Sequence, residues 1–308
     1  MNSVKKDTAY YHLPGLFEFY ELYSVFLPLF REHREYFYDW CEIGSVYGAP
    51  AECTWGGGRV GGGDRKPEEV LALMEEYGIS ARLTFSNSLL GTEHLSDPLC
   101  NALCALFEKE GGQQNGVIVH SDLLLSYLKA NYPGLYFVSS TTKVLTDFDQ
   151  FLKEVNREDF LYAVPDFRLN KAFDKWRTLS ENQKEKVEFL CNECCWFGCR
   201  DRKRCYEAVS RRNLGENMPE HRCSAPDAKD GYRFSRATFT TDFNTPLVLP
   251  DTRARGMAST GMVLVITSYP LAMASCSVKP MRDRGGSINT VYTTGSRSTM
   301  VRLPLPNS

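Results

Sequence analysis

The chain has 308 residues, 43% of them hydrophobic and 24% charged, with a formal net charge of -2. That is long enough for a substantial core and ordinary for a globular protein, and the near-neutral balance gives no electrostatic footprint for nucleic acid or an anionic membrane. Met1 to Gly15 lacks the apolar core of a signal peptide, and no apolar run is long enough to span a bilayer.

Taken in order, Leu16 to Tyr38 reads as an amphipathic helix interrupted at Pro28, making residues 1–39 an N-terminal helical segment. Trp40 to Tyr47 reads as a first strand. Ala49 to Lys66 is a loop with two glycine triplets, and Pro67 opens a helix with Glu68 and Glu69 in its first turn. A regular alternation follows. Apolar strands are expected at Ala81 to Phe85, Gly116 to His120, Leu135 to Val138, Phe160 to Val164 and Val187 to Leu190. Helices are expected from Asp97-Pro98, over Leu123 to Tyr132, over Thr146 to Val155 and over Leu179 to Lys186. Short, nearly continuous apolar strands alternating with helices indicate parallel strands covered on both faces. Six strands before residue 195 favour an α/β fold of the (β/α)8 TIM-barrel type over residues 40–250, incomplete or atypical at its C-terminus. The alternative is an open doubly wound sheet.

Composition changes after about Asp251. No Glu occurs beyond Glu220, and Asp283 is the one acidic residue after Asp251, while five of the eight methionines lie there. Residues 251–308 therefore read either as a flexible polar tail or as the product of a shifted reading frame near Arg255. Read one base earlier, Gly256 to Thr267 would give a glycine-bearing helix exit followed by a strand, the element such a barrel still lacks.

In parallel α/β proteins ligands bind at the carboxyl ends of strands. The polar residues placed there are Asn87, Asp122, Lys143, Asp166, Arg168, Asn192 and Glu193. Asp166 and Glu193 form the candidate acid/base pair, because carboxylates at adjacent strand ends can be tuned apart by their surroundings. The remaining five are candidate substrate contacts. His120 ends an apolar strand and reads either as a mouth residue or as a satisfied interior histidine. Gly56-Gly-Gly58-Arg-Val-Gly61 matches a dinucleotide fingerprint in letters only, since no helix follows directly. It reads better as a mobile loop over the mouth, with Arg59 able to meet an anionic substrate.

Eleven cysteines are present, five of them within Phe189 to Cys205. With no export signal, clustered thiols point to reduced cysteines in the cytoplasm or to metal ligands rather than to disulfides. Thiolates suit soft metals, and Arg200, Arg202, Lys203 and Arg204 would lower their pKa values and offset an anionic cluster. Cys195, Cys199, Cys205 and Cys223 are the candidate ligands, of an iron–sulfur cluster or alternatively of zinc; free thiols are the third reading. Cys100 and Cys104, one helical turn apart among leucines, read as core packing.

The pattern Asn192-Glu193-x-Cys195-x3-Cys199-x2-Arg202, with Tyr206 beyond, resembles the collagenase-like peptidase superfamily, as does Asp166-Phe-Arg168-Leu-Asn170 at the preceding strand end. That group includes relatives involved in oxygen-independent ubiquinone hydroxylation and uncharacterised bacterial barrel proteins. The resemblance implies a barrel enzyme acting on a small-molecule or peptide-like substrate and, in some members, a cysteine-held iron–sulfur cluster. Cys205 stands just before Tyr206, where relatives often carry His. The rival expectation is a non-catalytic metal-binding or partner-binding protein, or an inactive truncated member.

Overall fold

The computed structural model describes residues 8–39, 41–51, 53–58, 65–108, 114–170, 172–192, 195, 198–217, 263–266, 290–292 and 299–301. Strands β1 (Ala9–Pro14), β2 (Cys41–Gly48), β3 (Ser80–Phe85), β4 (Gly116–Val119), β5 (Tyr136–Ser139) and β6 (Tyr162–Ala163) lie side by side in chain order, all parallel. Between them run helices α1 (Tyr20–Glu32), α2 (Pro67–Tyr77), α3 (Pro98–Phe107), α4 (Asp122–Asn131) and α5 (Phe148–Val155). Two short helices, α6 (Phe173–Trp176) and α7 (Glu181–Glu185), lead into β7 (Glu188–Asn192), and α8 (Arg202–Asn213) follows it.

Most of these boundaries are set locally. Pro67 occupies the first turn of α2, and Gly78 closes that helix at φ 64°, a left-handed position that costs glycine little. Asp97, Ser121 and Asp147 accept backbone N–H bonds at the starts of α3, α4 and α5, and Ser180 forms a capping box with Gln183 at α7. Pro28 does not interrupt α1, which runs through it.

The closed (β/α)8 barrel expected from the sequence is corrected by the strand pairing. The regular alternation builds an open half-barrel of six parallel strands with helices. Beyond β6 the ladder fails, because β6 is two residues long and meets the next segment only in one isolated bridge, Ala163 to Val187. Val164 still donates its N–H to the Ser139 carbonyl at 3.1 Å, but Pro165 after it has no N–H to extend the ladder, and the chain turns into a 3-10 turn over Phe167–Leu169. β7 pairs instead with β8 (Val263–Ile266), which also pairs with β1. Two expectations change with this. The first strand, Ala9–Pro14, lies within the segment read as helical, and four residues of the segment read as a tail are paired strand. The remainder of the frame-shift reading falls outside the described residues. A short hairpin, β9 (Thr290–Tyr292) with β10 (Thr299–Val301), stands apart from the main sheet. No helix among the described residues is long and apolar enough to cross a membrane.

The sheet has two buried faces, because alternate side chains point to opposite sides. The larger core lies between strands and helices and includes Leu83, Phe85, Val117, Val119, Leu124, Phe151 and Trp176. A second cluster gathers Tyr47, Ile118, Val138, Val164, Phe167, Leu190 and Cys195. Residues from β2, β4, β5 and β7 can meet in one cluster only if the sheet curls, and they form its concave core.

Below that apolar layer, toward the amino ends of the strands, lies a buried polar one. Arg82 donates from Nε to the Tyr136 hydroxyl at 2.7 Å and from Nη1 to Glu188 at 2.9 Å. Its guanidinium also lies over the rings of Tyr136 and Tyr162, at 5.3 and 5.2 Å. The Ser80 hydroxyl is 2.7 Å from that of Tyr136. His12 hydrogen-bonds Ser45 through Nδ1, and its Nε2 stands 3.7 Å from Glu188 Oε1. Burial pushes the Glu188 carboxyl up to about 7, although Arg82 pulls it down. Burial, assisted by Arg82, holds His12 well below its ordinary range. Polar groups at the amino end of such a sheet serve stability more than chemistry.

Candidate functional site

At the opposite end of the sheet, the carboxyl ends of β4, β5 and β6 meet under α8. β4 ends in His120, half-buried, whose Nδ1 lies 2.8 Å from the Thr142 hydroxyl. Thr142 donates its own hydroxyl proton to Ser140 Oγ at 2.9 Å, so it must accept from His120 Nδ1–H. The tautomer is thereby set, leaving Nε2 as the proton acceptor. Ser140 also caps the 3-10 turn Thr141–Lys143. Burial first, then the charges of Lys143 and Lys203, lower His120 to about 4, so the imidazole is neutral at neutral pH.

The adjoining Thr141 accepts a long hydrogen bond from Arg202 Nη2, at 3.4 Å. Arg202, the first residue of α8, is 1% exposed and lies over the rings of Phe167 and Tyr206 at 4.9 and 5.3 Å. Its Nε is 3.4 Å from Asp166 Oδ2. Asp166 is fully buried and is gripped by Arg168 as well, from Nε at 2.6 Å and Nη2 at 3.0 Å. Arg168 Nη1 reaches on to the Cys199 carbonyl at 2.9 Å. Hydrogen bonding to Asp166 raises Arg168 above its ordinary value. Among the described residues, one buried carboxylate therefore serves two guanidiniums.

The sequence-derived residues divide sharply here. Asp166 and Arg168 belong to the constellation, with Asp166 placed as a counter-ion. Asn87 is a brace: its amide donates to the carbonyls of Thr54 at 2.8 Å and Ser210 at 3.1 Å, tying β3 to α8. Lys143 turns away to pair with Glu154, which Ser139 also bonds at 2.7 Å. Asp122 is exposed in the first turn of α4 and bonded by Arg157 at 2.8 Å. Glu193, Cys223, Arg59 and the Asn192 side chain lie outside the described residues. The glycine segment is packed rather than mobile over Trp55 to Gly57, which are buried. A Cβ on Gly57 would stand 2.1 Å from the Ser86 carbonyl oxygen, so only glycine allows this approach. An outer cleft of about 310 Å³, lined by Thr54, His94, Asp97 and Asn213 among others, touches none of these charged groups.

Sequence reasoning singled out neither the Thr142 relay nor the central place of Arg202. His120 at a strand end, followed by Ser140-Thr141-Thr142 at the next, was the available signal. Cys195 and Cys199 are buried at this end, Cys195 within the concave apolar cluster, and Cys205 is half-buried on α8. Among the described residues no three Cys, His, Asp or Glu side chains gather into a metal site.

No family model matches this sequence, and no curated protein matches it. A solved structure described as the U32 peptidase Mk0906 shares the fold with a TM-score of 0.50 at 13% sequence identity, covering 87% of this chain and 95% of that one. At that identity the likeness is one of fold.

Proposed function

We propose that this chain is a divergent member of the collagenase-like peptidase superfamily, an enzyme that acts on a small, peptide-like substrate bearing an anionic group. The observation that carries the reading is His120, a neutral imidazole at a strand end with its tautomer set by Thr142. In this reading His120 Nε2 takes a proton as the substrate or an attacking water reacts, and Thr142 orients the ring. A substrate anion seated between Lys203 and the Arg168–Arg202 corner would offset the cations that depress His120 and raise its basicity toward neutrality. The fold likeness to a U32 peptidase and the cysteine and Asp166-to-Asn170 patterns support the family assignment. The test is amine release from a panel of short peptides and N-acyl amino acids with free carboxylates. His120→Gln should lower turnover by about 10²–10⁴-fold, the usual worth of a positioned base, with less than about 1 kcal/mol lost in stability. Equal rates in the variant would remove His120 from the chemistry. Absence of turnover across the panel would favour the rival, a non-catalytic binding protein.

The iron–sulfur cluster stands as a proposal resting on the thiol-rich sequence. Cys199 sits beside Arg168, which suits an anionic thiolate, but the described donors do not by themselves form a cluster site. The proposal requires iron and acid-labile sulfide in protein purified without oxygen, lost in Cys195→Ser and Cys199→Ser and retained in Cys100→Ser. Iron-free, colourless protein whose zinc content is also negligible would assign these thiols to packing.

A further inference from the structure

Two thiols that the site does not use meet on the other flank of the mouth. Cys53, in the segment after β2, and Cys100, in the first turn of α3, have their Sγ atoms 3.2 Å apart. Both are buried, at 2% and 0% exposure. Their backbones are held in this relation independently of the sulfurs. Asp97 caps α3 by accepting from the Cys100 N–H at 2.8 Å, and its other oxygen accepts from the Thr54 hydroxyl at 2.6 Å. Trp55 Nε1 donates to the His94 carbonyl at 2.7 Å. The segment on either side of the thiol contact is therefore already fastened to the α3 entrance. A disulfide spans about 2.05 Å, so the sulfurs need approach by only about 1.2 Å, within the reach of small side-chain rotations.

We propose that Cys53 and Cys100 form a reversible disulfide clasp, closed by a peroxide and opened by a dithiol reductant. In closing, one thiol sulfur attacks the peroxide O–O bond, giving a sulfenic acid and one water. The second thiol sulfur then displaces the sulfenic oxygen, the S–S bond forms and a second water leaves. Two thiols are oxidised to one disulfide, and the peroxide is reduced to two waters. The hydrogen bond with Cys53, and after it burial, raise the Cys100 thiol, which makes closure slow in the folded protein, and burial makes it selective for small oxidants. The clasp acts on a segment that reaches the mouth: the Trp55 carbonyl accepts from the Asn87 N–H at 3.0 Å, and the Gly56 carbonyl accepts from Asn213 of α8 at 2.6 Å. Closing it crosslinks the β2 exit to α3 and stiffens the seat of α8.

The experiment uses the full chain treated with hydrogen peroxide, then alkylated and mapped without reduction. A Cys53–Cys100 crosslinked peptide, a Tm higher by several degrees and reversal of both by dithiothreitol are expected. Cys100→Ala keeps a small apolar side chain and should abolish crosslink and Tm shift together, while Cys104→Ala should retain both. Sulfinic or sulfonic acid at either residue without a crosslink, or a Cys53–Cys104 link in its place, overturns the proposal. So does an unreacted pair in peroxide-treated protein that crosslinks once unfolded in urea.

Discussion

Asp166→Ala should lower the free energy of unfolding by about 3–5 kcal/mol, the range for removing one partner of a buried ion pair. The carboxylate is fully buried and is the shared partner of Arg168 and Arg202, the latter 1% exposed between two aromatic rings. Alanine removes the buried carboxylate that Arg168 and Arg202 share. Read from sequence as a catalytic carboxylate, Asp166 would cost activity and little stability; its buried ion pairs lead to the opposite expectation. Urea unfolding of the variant gives the number directly, with m compared to the parent to check that the transition is unchanged. Pairing Asp166→Leu with Arg202→Met removes charge from both sides and should recover part of the loss. If Asp166→Ala stays within about 1 kcal/mol of the parent, the carboxylate is not structural and returns to the list of catalytic candidates.

Arg82→Ala is expected to cost a similar amount, about 3–5 kcal/mol, because it empties the centre of the buried polar layer. Tyr136 loses a donor, Glu188 loses its cation, and Tyr136 and Tyr162 lose the guanidinium over their rings. The pH dependence gives a sharper test. Glu188 has a folded pKa of about 7 against an ordinary 4.5, so its contribution is fully present below about 4.5 and is lost as pH rises through about 7. His12, depressed by burial, has the opposite sign: its contribution is present above its ordinary 6.5 and is lost on acidification. The two offset each other between about 4.5 and 6.5, so the informative quantity is the difference between parent and Glu188→Gln. Gln resembles the protonated acid. The variant should match the parent near pH 4.5, gain on it as pH rises from there to about 7 and keep a constant margin above that, whereas Arg82→Ala, in which Glu188 has lost its cation, should go on worsening above 7. A Glu188→Gln variant that is as damaging at pH 8 as Arg82→Ala would show that Glu188 is an ordinary ionised partner.

Local physics made much of the fold legible. Pro67, Asp97, Ser121, Asp147 and Ser180 mark helix starts because capping is decided within four residues, and the apolar runs of β2 to β7 announce buried parallel strands. Asp166 and Arg168 follow the end of β6, where Asp166 caps the 3-10 turn. What failed were features whose partners lie far along the chain. β1 reads poorly as a strand because His12 interrupts its apolar face, and the Nδ1 of that histidine is bonded to Ser45, 33 residues away. Whether the sheet closes was not readable from the count of strands, since it turned on Pro165 ending β6 and on the pairing of β8 between β1 and β7. The ion pair of Asp166 with Arg202 joins two different elements, and the contact of Cys53 with Cys100 spans 47 residues. Periodicity and capping record only near neighbours. Ion pairs, thiol contacts and sheet closure depend on which distant segments the packed core brings together, and only the tertiary structure decides that.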